Sequence, residues 1–261
     1  ASKDERITSA ENAAARKKLI KALPDEQPAL LQEWTAAKRK AEGTSHYLRR
    51  SGRYPLCGTG DVNTYSVFAE LFRSSIAFTG LMGIITPTGL ATDATTAYFF
   101  ADTLQSQRLT AFYDFENEAK IFAGVHNQLR FAVTAISGGR PILDARLAFY
   151  TRHVSDVPTR RFELAASDIL RLNPNTGTLP IFRTKRDAEI TIAIYRRHHI
   201  LVREGDPEGS PWGLSFSRMF DMANDSGLFR TADDLAAVGG TFDGWAWTID
   251  ENRWLPLYEA K

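Results

Sequence analysis

The sequence predicts an α/β protein: the C-terminal half of an open, doubly wound sheet that closes in a β-hairpin, followed by a smaller mixed α+β region. Three observations carry this. Between Asp61 and Ser137, segments alternate in the order helix, strand, helix, strand, turn, strand. LMGIITPTGL (81–90) is short and nearly all apolar, as expected of a strand buried on both faces of a parallel sheet. RLTAFYDFE (108–116) and LRFAVTAIS (129–137) are joined by a tight turn, KIFAGVHN (120–127), so the last strands form a hairpin instead of another crossover. A matching first half of the sheet is not expected in this chain.

The remaining elements follow in order. ENAAARKKLIKAL (11–23) and PALLQEWTAAKRKAE (28–42) read as helices, with Pro24 closing the first and Pro28 opening the second. Their narrow apolar stripes suit helices that cross a surface. Gly43 to Gly60 is rich in turn formers and reads as a loop carrying Arg49, Arg50 and Arg53. The Asp61 helix places Val62, Tyr65, Phe68, Ala69, Phe72 and Ile76 on one face, predicting that this face is buried, and Gly80 ends it. Pro87 and Gly89 stop the next strand at its carboxyl end, where ligands sit in open α/β sheets. After the joint GGRPILD come a strand (ARLAFYTRH), a loop (VSDVPTRR), a strand end leading into a helix (FELAASDILRL) and a helix capped by Thr184 (TKRDAEITIAIYRR). HILVR, WGLSFSRMF, WAWTI and RWLPLY read as short strands, with one helix started by Thr231. The predicted divisions are 1–60, helical and loop; 61–155, the half-sheet; and 156–261, mixed α+β.

Composition narrows the classes. With 43% hydrophobic residues in 261, the chain has material for a packed core. No apolar run reaches the roughly 18–20 residues that span a bilayer, so no membrane partner and a cytoplasmic location are expected. Cys57 is the only cysteine, which excludes an internal disulfide and a thiolate zinc cluster, and it reads as a small buried loop residue. Net charge is only +1, yet residues 1–60 hold 12 Lys and Arg against 7 acids, and residues 183–203 hold 6 against 2. Two basic regions suit a polyanion held on one side. The candidate contacts are Arg49, Arg50, Arg53, Lys120, Arg183, Lys185, Arg186, Arg196 and Arg197.

No GxGxxG follows a strand and no GxxxxGKS occurs; Gly58 and Gly60 follow a loop. Phe122, on the hairpin turn, either packs beneath the hairpin or offers a stacking wall to a planar ligand. Glu118-Ala119-Lys120, with Asp102 or Asp114 as a second carboxylate, is the pattern of a metal-dependent nuclease. His198 and His199 are neighbours that would point to opposite faces of a strand and read as part of the basic segment. Asn173-Pro174-Asn175-Thr176 reads as a turn, and Trp212, Trp245, Trp247 and Trp254 as mostly core of a small β-rich region.

The runs NTYSVFAELFRSSIAFTGLMGIITPTGLATD and LTAFYDFENEAKIFAGVHNQLRFAVTAI resemble the downstream half of the catalytic domain of class I adenine-specific DNA methyltransferases. The likeness is to the single-chain kind found in type IIG restriction-modification and phage-defence systems. LRLNPNTGTLPIFRTKRDAEITIAIYRR, SFSRMFDMANDSGLFRTADDL and LPLYEAK are similar to the region that follows in those proteins and leads into target recognition. The resemblance implies a Rossmann-like sheet, S-adenosylmethionine as the parent's cofactor, double-stranded DNA as its partner, and Phe122 packing against an everted adenine. The family's cofactor loop and Asn-Pro-Pro-aromatic loop have no match here. The resemblance therefore implies a fragment, without cofactor or catalytic residues of its own, that works with the rest of a parent methylase. A non-enzymatic DNA-specificity or scaffolding module and a nuclease stay open as alternatives.

Overall fold

Residues 3–206, 210–215, 217–221 and 224–257 are described by a computed structural model. Five strands form one mixed sheet in the order β1-β3-β2-β4-β5: β1 (Leu81–Pro87), β2 (Leu109–Glu116), β3 (Arg130–Ser137), β4 (Asp144–Thr151) and β5 (Phe162–Ala165). β3 runs antiparallel to both β1 and β2, which are therefore parallel to each other. β4 is parallel to β2, and β5 is antiparallel to β4. The chain is thus α/β, with the antiparallel β3 inserted between two parallel strands.

Helices α1 (Glu5–Thr8), α2 (Ala13–Glu26), α3 (Pro28–Arg50) and α4 (Thr64–Ser75) precede the sheet. α5 (Gly89–Thr92) and α6 (Ala97–Gln105) carry the crossover from β1 to β2; α7 (Val157–Arg160) lies between β4 and β5, and α8 (Ala166–Leu172) and α9 (Lys185–Arg197) follow. One core cluster joins Phe100 and Leu104 of α6 to Phe112, Leu147 and Phe149 of the strands and to Ile169 and Ala188 of α8 and α9. A second gathers Cys57, Val67, Met82, Leu90, Phe99 and Ile136. The division expected at 155/156 falls between two paired strands of one sheet, and the compact units divide between Pro211 and Trp212 instead. In the second unit α10 (Ala232–Ala237) precedes a small antiparallel sheet of β6 (Thr241–Phe242), β7 (Trp247–Ile249) and β8 (Asn252–Trp254).

Several expectations are corrected. β1 is an edge strand, and only alternate residues are buried: Leu81, Gly83 and Ile85 face solvent while Met82 and Thr86 lie inside. The reason is that α4 and α5 contact β1, while the Leu81 face has no such cover.

α4 is rotated from its predicted pose, burying Ser66, Val67, Ala69, Glu70 and Arg73 and exposing Phe68 and Phe72. Polar partners decide this. The Glu70 carboxylate accepts the backbone N–H groups of Leu56 (3.1 Å) and Cys57 (2.8 Å). Arg73 pairs with Asp102 and lies 5.6 Å from the Phe99 ring centroid.

α3 continues through the predicted loop to Arg50, and α2 keeps Pro24 inside its last turn. The hairpin connection, residues 117–129, is longer than a tight turn, and HILVR is not a strand. Trp247 and Trp254 are half-buried cross-strand partners, but Trp245 and Trp212 are exposed. The end of RWLPLY and of LPLYEAK, from Tyr258 on, and Phe216, Met222 and Ala223 of the runs before them lie outside the described residues.

Candidate nucleic-acid interface

The parallel strands β1, β2 and β4 end on the same side of the sheet, and one buried carboxylate ties their ends together. Asp114, fully buried in β2, accepts the Thr88 hydroxyl at 2.7 Å, the Tyr150 N–H at 3.2 Å and the Arg130 guanidinium. The Thr151 hydroxyl donates to the Asp114 carbonyl. A buried carboxylate requires this degree of pairing, since desolvation alone would cost several kcal/mol. Burial pulls the pKa of Arg130 down, but its bond to Asp114 outweighs this and leaves the pKa above the ordinary arginine value. The Arg130 guanidinium also lies 4.5 Å from the Tyr150 ring centroid, and that of Arg183 lies 5.5 Å from the same ring. Tyr150 has a φ of 55°, a left-handed conformation unusual for an aromatic residue, which breaks the strand alternation at the rim.

Beyond β2 the chain is pinned by a single amide. Asn117 is fully buried; its carbonyl accepts the Phe122 N–H at 3.0 Å, and its amino group donates to the carbonyls of Phe122 (3.0 Å) and Val125 (2.9 Å). Lys120 takes a left-handed φ of 54°, turning the chain back toward Asn117. Phe122 is thereby presented at the rim, 39% exposed. Its ring stands edge-on to Phe131 at 4.8 Å, and Phe131 stacks on Phe115 at 5.2 Å and 5°. Phe122 is a braced surface aromatic and not a core residue.

The predicted basic residues do not converge on one spot. Arg183 joins the Tyr150 cluster and Lys120 the Phe122 loop. Lys185 and Arg186 share Glu189 at 3.7 and 3.4 Å in the first turns of α9, while Arg197 lies ~18 Å further along by helix geometry. Arg196 is committed elsewhere: its guanidinium grips the nearly buried Asp168 with bonds of 3.1 and 2.6 Å, joining α9 to α8. Arg49 bonds Ser45 and the Gly60 carbonyl (3.0 Å) at the end of α3, and Arg50 and Arg53 are exposed nearby.

The nuclease carboxylates are separately engaged. Asp102 pairs with Arg73, Asp114 with Arg130, and Glu118 with Arg152 at 2.9 Å. Among the described residues, no three His, Cys, Asp or Glu side chains form a group able to hold a metal ion. The turn after β1 offers no cofactor cradle either, because a Cβ on Gly89 would lie 2.1 Å from Asp93 Oδ2: the chain fills that space itself.

Sequence reasoning missed Asn117 and the Arg130–Tyr150 pair. An acid inside the apolar run of β2 was the available signal for the network, since an unpaired charge is not tolerated there. No known protein-family model matches the chain, and no curated protein matches it.

Proposed function

We propose that this chain is part of an S-adenosylmethionine-dependent DNA adenine methyltransferase of the restriction-modification or phage-defence kind, and that it supplies one wall of the pocket for the everted adenine. The observation that carries the reading is Phe122: half-exposed, braced on Phe131, and locked in place through Asn117. An enzyme that acts on a base inside a duplex must extrude it, and an aromatic wall offsets part of the lost stacking. Arg183 and Lys120, near the same rim, are suited to the phosphates flanking that base. The cofactor and the groups that align the adenine amine are assigned to the remaining parts of the parent methylase, against the unpaired edge of β1. The chain's own contribution to catalysis is then positioning, which lowers the entropic part of the barrier.

The test compares duplexes carrying one adenine opposite an abasic site with fully paired duplexes of the same sequence. The adenine opposite the abasic site is expected to bind more tightly, and Phe122→Ala to remove about 1–2 kcal/mol, or roughly 5- to 30-fold, of that preference. Binding without any preference would favour the non-enzymatic DNA-binding module. A preference that survives Phe122→Ala would refute the stacking wall.

A further inference from the structure

Helices α2 and α3 form an antiparallel hairpin with a groove of about 370 Å³ between them. Its walls carry Arg16, Lys17 and Lys21 from α2 and Lys38 from α3, its floor is Ile20 and Trp34, and no acid lines it. α3 has no buried residue along its 23 positions, so the groove sits on an exposed arm. Of the nearby acids, Glu33 pairs with Lys3 at 2.6 Å and Glu26 with Arg6 at 2.9 Å, both away from the groove, while Glu42 pairs with Lys38 of the groove itself at 3.6 Å. Lys38 Nζ lies 5.3 Å from the Trp34 ring centroid, so the aromatic floor helps hold one of the cations. Arg16 is partly used within the arm, donating to the Ile7 carbonyl at 3.3 Å.

We infer that this groove is a sequence-independent track for the phosphate backbone of double-stranded nucleic acid. Lys17 and Lys21 are one turn apart, about 6 Å along α2. Each strand of a duplex presents a charge every ~3.4 Å of axis, so the spacing of that row matches about two phosphate steps along one strand. Lys38 faces them from the other helix, across the 8–10 Å typical of packed helices. The apolar floor is only two side chains long. That matches a sugar between phosphates better than the continuous apolar face of an acidic amphipathic helix, which needs a longer groove. The track is separate from the sheet rim and does not depend on methyl transfer.

The experiment is a salt titration of binding to a fully paired random-sequence duplex, read by fluorescence anisotropy. Each phosphate contact contributes about 0.9 to the slope of log K against log salt. The triple variant Lys17→Ala, Lys21→Ala, Lys38→Ala is expected to lower that slope by about 2–3. Removing Lys18 and Arg39, which lie outside the groove, is expected to lower it by less than about 1. All five side chains are exposed, and unchanged circular dichroism will show that the arm still folds. An unchanged slope in the triple variant would overturn the inference, as would an equal loss per charge in the control. Competition by polyglutamate as effective as that by DNA, abolished by the triple variant, would assign the groove to an acidic protein instead. Phe122→Ala should leave the slope intact, which separates this inference from the base-pocket reading.

Discussion

At the scale of single residues, Asn117 does more than its exposed neighbours. One amide closes three hydrogen bonds around the Phe122 loop, and replacing it strands buried backbone groups. Asn117→Ala should cost about 2 kcal/mol of stability in urea unfolding, and it should weaken the adenine preference as Phe122→Ala does. Phe122→Ala, losing a side chain already 39% exposed, should cost less than about 1 kcal/mol. Equal destabilisation by the two would contradict the positioning role. Cys57 offers a second check. Burial, reinforced by the neighbouring Glu70, holds its thiol well above the ordinary cysteine range, and the residue is 2% exposed. Thiol reagents should label it only as fast as the surrounding structure opens, whereas immediate labelling at pH 8 would show that the loop is not seated.

At the scale of elements, much of the order was legible because apolar period and end signals agreed. β2, β3 and β4 fall close to their predicted spans, and Thr184 and Thr231 cap α9 and α10 through reciprocal bonds with Asp187 and Asp234. What could not be read were faces settled by polar partners. Glu70 and Arg73 turn α4 inward because a distant loop and α6 supply donors and acceptors that periodicity does not register. Of the two predicted DNA contacts at the end of α9, Arg196 is taken by Asp168, while Arg197 is exposed. Arg197→Ala should therefore weaken duplex binding more than Arg196→Ala. The latter should show mainly as a loss of stability, because it leaves the nearly buried Asp168 without its partner. The reverse ranking would mean that the Asp168 pair opens when DNA binds.

At the scale of the whole molecule, β1 has no strand on its outer edge among the described residues, and Leu81 and Ile85 are exposed on one face. A flat edge with apolar side chains invites pairing with another chain. Sedimentation should show concentration-dependent association, and Ile85→Lys should shift the population toward monomer; a monomer at all concentrations would argue against an open edge. The basic arm, the Phe122 loop and the Tyr150 cluster come from distant stretches of chain, which is why charge counting named basic regions without saying which cations share a surface. Only the fold separates Arg183, stacked at the sheet rim, from Arg196, locked between helices.

The most direct test of the central claim is photocrosslinking from a duplex that carries 5-iodouracil, a planar stand-in for the everted base, opposite an abasic site, followed by mass-spectrometric mapping. If Phe122 is the stacking wall, the crosslink maps to the peptide containing Phe122 and disappears in Phe122→Ala. A crosslink mapping reproducibly to another region, such as the α2–α3 arm, and unaffected by Phe122→Ala would contradict the account.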